Sequence, residues 1–329
     1  MFIKNLDSNA IVIKDKLEFN LNIDTRRSMH IAFNVNDAYF RQAAVAIISV
    51  LENNKNKNFT FHIFTDAYEQ ESAEKLKLIA EKYNIKLCIY VIDMNILAGF
   101  HIKVKRFSRV TYLRLIMPKI LKDINCFLYM DADMVCLGDL WQLNDIDFEG
   151  KAFAAVSDLP EAVEYRTKFL KLKNNKYFND GMMFVNIHNW NRLQITEKAF
   201  TFKGADPKKF LGQSQDILNL VMDGDIIFLD KKFNVMQEST DVKDCVIYHF
   251  FGRFKPWEME LNKYDALWRK YLAISPWPAL TDKLPPKKPQ YYHDYKKIGK
   301  YYKENNNWLN MIESYFWYSI LKIRLKLGL

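Results

Sequence analysis

The chain has 329 residues, of which 49% are hydrophobic and 26% charged, and carries a formal net charge of +9 at pH 7. That length and apolar content exclude an intrinsically disordered polypeptide. They allow a sizeable core, in one large α/β domain with an appendage or in two modest domains. No uninterrupted apolar stretch approaches the ~20 residues needed to cross a bilayer, and the four cysteines (Cys88, Cys126, Cys136, Cys245) form no C-x-x-C pair. Each lies in or beside an apolar run, which reads as free thiols in a reducing compartment rather than a disulfide or zinc framework.

Residues 1–28 are polar with short apolar patches and read as a leader segment without visible chemistry. Asn5, Asp7, Asn9 and Lys14 interrupt it, so it lacks the apolar core of a signal peptide. Regular organisation is expected from Met29, where a strand over His30–Val35 runs into the polar loop Asn36-Asp37-Ala38-Tyr39. Apolar residues at helical spacing from Ala43 to Leu51 predict a helix, Phe59–Thr65 a second strand, Leu76–Tyr83 a second helix and Lys86–Asp93 a third strand. Strands alternating with helices argue for βαβ units and a mainly parallel sheet. From Phe100 to Leu121 the chain is basic and then helical, with Pro118 expected to limit that helix.

The run Cys126–Met130 then ends abruptly in Asp131-Ala132-Asp133. An apolar run ending in two carboxylates reads as a buried strand delivering charge to the rim of a sheet, where open α/β sheets bind ligands. Carboxylates at i and i+2 can project to one side, about 7 Å apart along the chain. Two hard oxygen donors placed so suit one divalent cation that also binds phosphate, although a D-x-D tripeptide is common without one. Farther on, Asp139-Leu140-Trp141 is expected to open a helix and Ala152–Val156 to form a strand. A polar turn, Tyr177–Gly181, leads into another strand, Gln215–Val221 reads as a short helix, and Ile226–Leu229 and Cys245–His249 read as further strands. Pro276, Pro278, Pro285, Pro286 and Pro289 make the stretch after residue 275 a stiff connector. Beyond it, from Lys283 to the end, ten Lys or Arg face three acids, so most of the excess charge lies in the last seventh of the chain.

Together these stretches resemble glycosyltransferase family 8, the retaining enzymes that move glucose or galactose from a UDP-sugar, and above all its lipopolysaccharide core transferases. The motifs that carry the resemblance run in order: Asn-Asp-x-Tyr after the first strand, Ser-x-x-Thr-Tyr-x-Arg, Phe-Leu-Tyr-Met-Asp-Ala-Asp, Tyr-Phe-Asn-x-Gly, Gln-Asp-Ile-Leu-Asn, and His-x-x-Gly-x-x-Lys-Pro-Trp. They span roughly Met29 to Trp257. The resemblance implies an α/β fold, a single Rossmann-like nucleotide-sugar-binding domain of GT-A type with a mainly parallel mixed sheet. The catalytic domain would cover residues 29–274, followed at 275–329 by the Pro-rich connector and a helical, basic and aromatic tail.

The same resemblance implies that Asp131, Asp133 and His249 ligate Mn²⁺ (or Mg²⁺), chemistry that suits carboxylate and imidazole donors. It implies substrate contacts from Asn34, Asn36, Asp37 and Tyr39 to the uridine, from Arg114 and Ala132 near the donor, from Asn179, Asp180 and Gly181 to the sugar, and from Gly252 and Lys255 to the diphosphate. Gln215 and Asp216 match the pair near the anomeric carbon and are the expected catalytic residues. Three positions depart from the family: Asn36 and Ser214 stand where aspartate is common, and Asp180 where a small residue is common. The implied attack is front-face, through an oxocarbenium-like ion pair that needs no covalent nucleophile.

The implied partners are UDP-glucose or UDP-galactose and a lipopolysaccharide core acceptor, with no nucleic acid. The implied location is cytoplasmic, peripheral on the inner membrane. Trp308, Ile312, Tyr315, Phe316, Ile320, Ile323 and Leu327 recur at helical spacing beside Lys322, Arg324 and Lys326, as expected of a segment lying on anionic lipid or of a helix packed on the catalytic domain. Two other readings of the residues stay open: an aspartyl-phosphate phosphotransferase, which also places D-x-D after an apolar strand, and a non-catalytic membrane-surface binding module.

Overall fold

A computed structural model of the chain describes residues 10–102, 108–236, 244–252, 254–280 and 292–327. Pro285, Pro286 and Pro289 of the connector, and Arg106 and Phe107 in the basic stretch, lie outside the described residues. The chain divides into two compact units, Met1–His249 with Ser275–Trp277, and Phe250–Ile274 with Pro278–Leu329.

In the first unit the strands β1 (Ile13–Phe19), β2 (Met29–Asn34), β3 (Phe59–Thr65), β4 (Lys86–Ile92), β5 (Cys126–Met130), β7 (Phe153–Ser157), β8 (Phe178–Asn186) and β9 (Ile227–Leu229) form one sheet in the order β1-β4-β3-β2-β5-β8-β7-β9. The block β4-β3-β2-β5 is parallel, and the α/β class with a mixed, mostly parallel sheet stands as the sequence implies. Every residue of β3 is buried, as expected for a strand covered on both faces. Helices α1 (Phe40–Asn53), α2 (Gln70–Tyr83), α3 (Met117–Ile120), α4 (Pro160–Leu170), α5 (Ile187–Arg192), α6 (Ile195–Phe200) and α7 (Ser214–Met222) make the crossovers and flanking layers.

Two features position the site. β3 lies on one side of β2 and β5 on the other, so the strand order reverses between β2 and β5, the kind of switch point at whose carboxyl ends open α/β sheets bind their ligands. β8 and β7 follow β5 in the sheet, with β8 antiparallel to both, so its first residues arrive at the rim where β5 and β7 end. Beyond β5 a second, two-stranded sheet pairs β6 (Met134–Cys136) with β10 (Ile247–His249), His249 directly opposite Met134. Asp131-Ala132-Asp133 is therefore the bend between two sheets, and the ribbon brings His249 back to it across more than a hundred residues.

Local structure departs from the sequence reading in several places. Asn179, Asp180 and Gly181 lie within β8, where its pairing with β7 shifts register, rather than in a turn before the strand. Regular structure begins before Met29: β1 is an antiparallel edge strand on β4, and its charged residues hid it from a search for apolar runs. The segment Arg109–Leu115 is a 3₁₀ helix rather than α, opened by the Ser108 side chain accepting from Val110 N at 3.2 Å. Pro118 starts the short α3 instead of limiting a helix, since a proline lacks only an N–H that the first turn leaves unpaired anyway. The segment after Asp139 is likewise 3₁₀, over Trp141–Asp145.

In the second unit, α8 (Lys263–Ala273) begins with a capping box of Asn262 and Asp265. Helices α9 (Tyr292–Glu304) and α10 (Trp308–Lys326) form a hairpin. Gly299 lets them approach, because a Cβ there would lie 3.2 Å from Ser314 Cβ. On α10, Trp308, Ile312, Phe316, Ile323 and the adjoining Leu327 are each more than half exposed, and Lys322, Arg324 and Lys326 are exposed beside them.

Inside the parallel block, His30 Nδ1 meets His62 Nε2 at 2.9 Å and His62 Nδ1 meets the Tyr90 hydroxyl at 3.2 Å. Burial lowers the His30 pKa to about 4, helped by the Lys86 charge and opposed by a backbone bond to Thr25. His62 is held well below the ordinary value, by burial first and then by His30. Unfolded, both rings titrate near 6.5, so the unfolded chain takes up protons first as pH falls. The contribution of His30 is intact above pH 6.5 and is lost from there down toward pH 4, and that of His62 is lost in the same direction as pH falls below 6.5, at up to about 1.4 kcal/mol per histidine per pH unit. Urea unfolding at pH 7, 6 and 5 checks this: stability of His62→Gln falls less steeply than that of the parent, and equal slopes reject it.

Candidate active site

The residues expected to hold a metal converge. Oxygen atoms of Asp131 and Asp133 and a ring nitrogen of His249 lie within 4.8 Å of one another, with His249 Nε2 3.3 Å from Asp133 Oδ1. His249 Nδ1 meets Asn234 Oδ1 at 3.1 Å, which directs Nε2 toward the two carboxylates when Nδ1 carries the proton. Asn234 Nδ2 in turn donates to Asn179 Oδ1 at 2.9 Å, and Gly181 N donates to the same oxygen at 3.1 Å. Gly181 floors the cluster: a Cβ there would sit 2.8 Å from Asp131 Oδ2, and 2.9 Å from both Asn179 Oδ1 and His249 Cε1. Ala132 is buried between the two aspartates.

Arg114 organises the other side of Asp131. Its Nη2 donates to Asp131 Oδ1 at 2.9 Å, while Nη1 donates to the Asp180 backbone oxygen at 2.7 Å and lies 2.8 Å from Asp180 Oδ2. The guanidinium stacks 4.4 Å from the centroid of the Tyr129 ring. Burial disfavours its charge, yet Asp131 and Asp180 outweigh that and raise its pKa above the ordinary value. For Asp180 burial pushes the pKa up to about 6, against the pull of Arg114 and of a 2.8 Å bond from Ser214 Oγ. Two of the three departures from the family, Asp180 and Ser214, are thus hydrogen-bonded partners.

Asn34, at the end of β2, is occupied in tying elements together: Nδ2 donates to Val110 O at 2.6 Å, and Oδ1 contacts the Tyr129 hydroxyl, which also contacts Asp131 Oδ1. Asn36 does not cap the 3₁₀ turn Asp37–Tyr39 that it opens, and its Oδ1 is buried without a hydrogen-bond partner among the described residues. Asp37 Oδ1 accepts from Glu69 N at 2.9 Å, and Tyr39 is half-buried in the same turn.

Gln215 is the half-buried residue at the start of α7. Its Nε2 donates to Asp158 Oδ2 at 2.7 Å, and its Oε1 lies 3.3 Å from Asn179 Nδ2 and 3.4 Å from Asp180 N. Asp216, its neighbour, is fully buried and paired with Arg166. Gly252 and Lys255 belong to the second unit, where Gly252 takes φ +100° and Lys255 Nζ donates to Phe250 O at 2.7 Å.

Sequence reasoning missed Asp158, Asn234, Tyr129, Arg166 and Tyr177. Asp158 carried the same signal as Asp131, a carboxylate just beyond an apolar strand, here Phe153–Ser157. Arg166 reads as a surface cation on a helix, and Asn234 had no local signal. The assembled site offers a three-donor metal cluster joined through Asn179 to a glutamine amide, with one buried cation between two carboxylates.

The sequence and the fold match known proteins. The sequence model of Glycosyl transferase family 8 matches residues 30–260. A lipopolysaccharide 1,2-glucosyltransferase of Escherichia coli is 29% identical over 94% of this chain and 96% of its own length. A lipopolysaccharide 1,3-galactosyltransferase of Salmonella typhimurium is 29% identical over 75% of this chain and 78% of its own. Among solved structures, the galactosyltransferase LgtC in complex with donor and acceptor sugar analogues superposes with a TM-score of 0.69 at 21% identity, covering 76% of this chain and 97% of that one. With the family match spanning most of the first unit and the fold shared with LgtC, the chain belongs to glycosyltransferase family 8, a family of retaining hexosyltransferases.

Proposed function

We propose that the protein transfers glucose or galactose from a UDP-sugar to a lipopolysaccharide core acceptor, working at the surface of an anionic membrane. The observation that carries this reading is the convergence of Asp131, Asp133 and His249 over the floor of Gly181, with Asn179 accepting from Gly181 N and donating to Gln215. The near full-length likeness to a lipopolysaccharide glucosyltransferase supports the acceptor class.

The donor set of two carboxylates and one imidazole, with the ring oriented by Asn234, fits Mn²⁺ or Mg²⁺. Bound there, the ion supplies neutralisation of the charge that grows on a departing diphosphate. The chain's own residues do the rest. Arg114 holds Asp131 and Asp180 in place, and Asn36 Oδ1 offers a buried acceptor that the N3–H of a uracil would satisfy. Asp158 fixes which way the Gln215 amide points by accepting from its Nε2, so that Oε1, held by the longer bonds from Asn179 Nδ2 at 3.3 Å and Asp180 N at 3.4 Å, is the end that would turn to a sugar-ring cation. Asp180 with Ser214, two of the positions that depart from residues common in the family, would read a donor hydroxyl. At the membrane, the exposed stripe of α10 would rest in the lipid interface with its cations toward anionic headgroups.

Three outcomes follow. UDP release from UDP-glucose or UDP-galactose, measured with truncated core acceptor, depends on added Mn²⁺ and falls by at least ~10²-fold in Asp131→Ala and Asp133→Ala; equal turnover by these variants rejects the reading. Gly181→Ala, which pushes a methyl group into Asp131 and His249, weakens Mn²⁺ binding by roughly 10–100-fold in calorimetric titration. Co-sedimentation with phosphatidylglycerol vesicles is lost in Phe316→Ser/Ile323→Ser and in neutral phosphatidylcholine vesicles, whereas binding indifferent to both would remove the membrane role of α10.

A further inference from the structure

Asp216 follows Gln215 in sequence but shares none of its surroundings. Its side chain is fully buried, and its two oxygens accept from four donors. Oδ1 accepts from the Tyr177 hydroxyl at 2.6 Å and from Arg166 Nε at 3.1 Å, and Oδ2 from Gly212 N at 2.7 Å and from Arg166 Nη2. A carboxylate has about four acceptor positions, so this one is saturated. A nucleophile or general base needs an open lone pair within reach of the substrate. Asp216 has no such lone pair.

The four bonds instead close the turn that opens α7. Gln213 there takes φ 52° and ψ −121°, a conformation that costs a non-glycine residue about 1–3 kcal/mol. Its buried Oε1 finds no hydrogen-bond partner among the described residues, so no hydrogen bond to that oxygen offsets the strain. Gly212 must lack a side chain, because a Cβ would lie 2.9 Å from Asp216 Oδ1 and 3.0 Å from the Tyr177 hydroxyl. Gln215 sits on this same turn, its N–H donating to Gly212 O at 3.0 Å. A second route reaches its side chain: Tyr177 O accepts from Asp158 N at 3.0 Å, and Asp158 holds the Gln215 amide.

We propose that Arg166, Tyr177 and Asp216 form a positioning cluster that sets where Gln215 projects, so that Asp216 acts through Gln215 and never on the sugar. This rests on the transferase reading of Gln215. Misplacing a reacting group by about 1 Å can cost on the order of 10²-fold in rate, which is enough for a buried cluster to matter without touching substrate.

The test is a double-mutant cycle on transfer from the UDP-sugar, with Asp216→Asn and Tyr177→Phe each placed in the native and the Gln215→Ala background. Tyr177→Phe keeps the ring and removes one hydroxyl, so it guards against loss of the fold in Asp216→Asn. In the native background each lowers kcat by roughly 10–100-fold with KM for the donor changed less than about two-fold. In the Gln215→Ala background each lowers the residual rate by less than about three-fold. A penalty of the same size in both backgrounds overturns the proposal, as does a glycosyl adduct on Asp216 in mass spectra of donor-treated protein. The side-chain amide resonance of Gln215 reports independently of turnover: it shifts or broadens in both variants, and an unchanged signal overturns the cluster. Absence of UDP-sugar turnover by the native protein, with the amide signal responding as expected, removes the transferase reading and leaves the cluster standing.

Discussion

A guanidinium buried away from water holds the centre of this site. Arg114 is stacked on Tyr129 and paired with Asp131 and Asp180, so one cation offsets two carboxylates that would otherwise repel each other and a third, Asp133, close by. Removing one member of such a buried set generally costs about 3–5 kcal/mol, because the remaining charge is left without a partner or water. The geometry of the candidate metal-binding group depends on it directly. With Asp131 Oδ1 committed to Arg114 and Tyr129, Oδ2 is the oxygen that faces the bare α-carbon of Gly181 and the His249 ring.

Around that charge, the fold supplies convergence. Strands β2, β5 and β7 run the same way and end at one rim, delivering Asn34, Asp131 and Asp158, while β8 runs back from the same rim and supplies Asn179, Asp180 and Gly181. The small ribbon of β6 and β10 adds His249 from far along the chain. No single loop carries the site, and a substrate bound there would be held by main-chain elements that the core already makes rigid.

Much of this could be read from residues alone wherever an apolar run stops at a polar group. That pattern marks Asp131 and Asp133, and it recurs at Asp158, a lone carboxylate after its strand without the second acid that makes the first pair conspicuous. His249 and Gln215 needed the ordered motifs of a family, since a histidine at a strand end and a glutamine on a helix have no local signature. Membership in family 8 also removes the phosphotransferase reading that the D-x-D pattern by itself had allowed. The polar edge strand β1 and the 3₁₀ character of Arg109–Leu115 escaped because neither shows the period that hydrophobic patterning detects.

The sequence by itself determined the alternation of strands and helices, the carboxylates at the end of β5 and the surplus of cations and aromatics in the tail, because each is set by the local order of apolar and polar residues. Only the tertiary structure decided that Asp180 meets Ser214, that Asn234 orients His249, and that Asp216 is closed off by Arg166 and Tyr177 while Gln215 beside it stays accessible. Those partners lie from 15 to 50 residues apart. Whether a carboxylate is reactive or saturated depends on which donors the packed chain brings to its oxygens, and no local pattern records that.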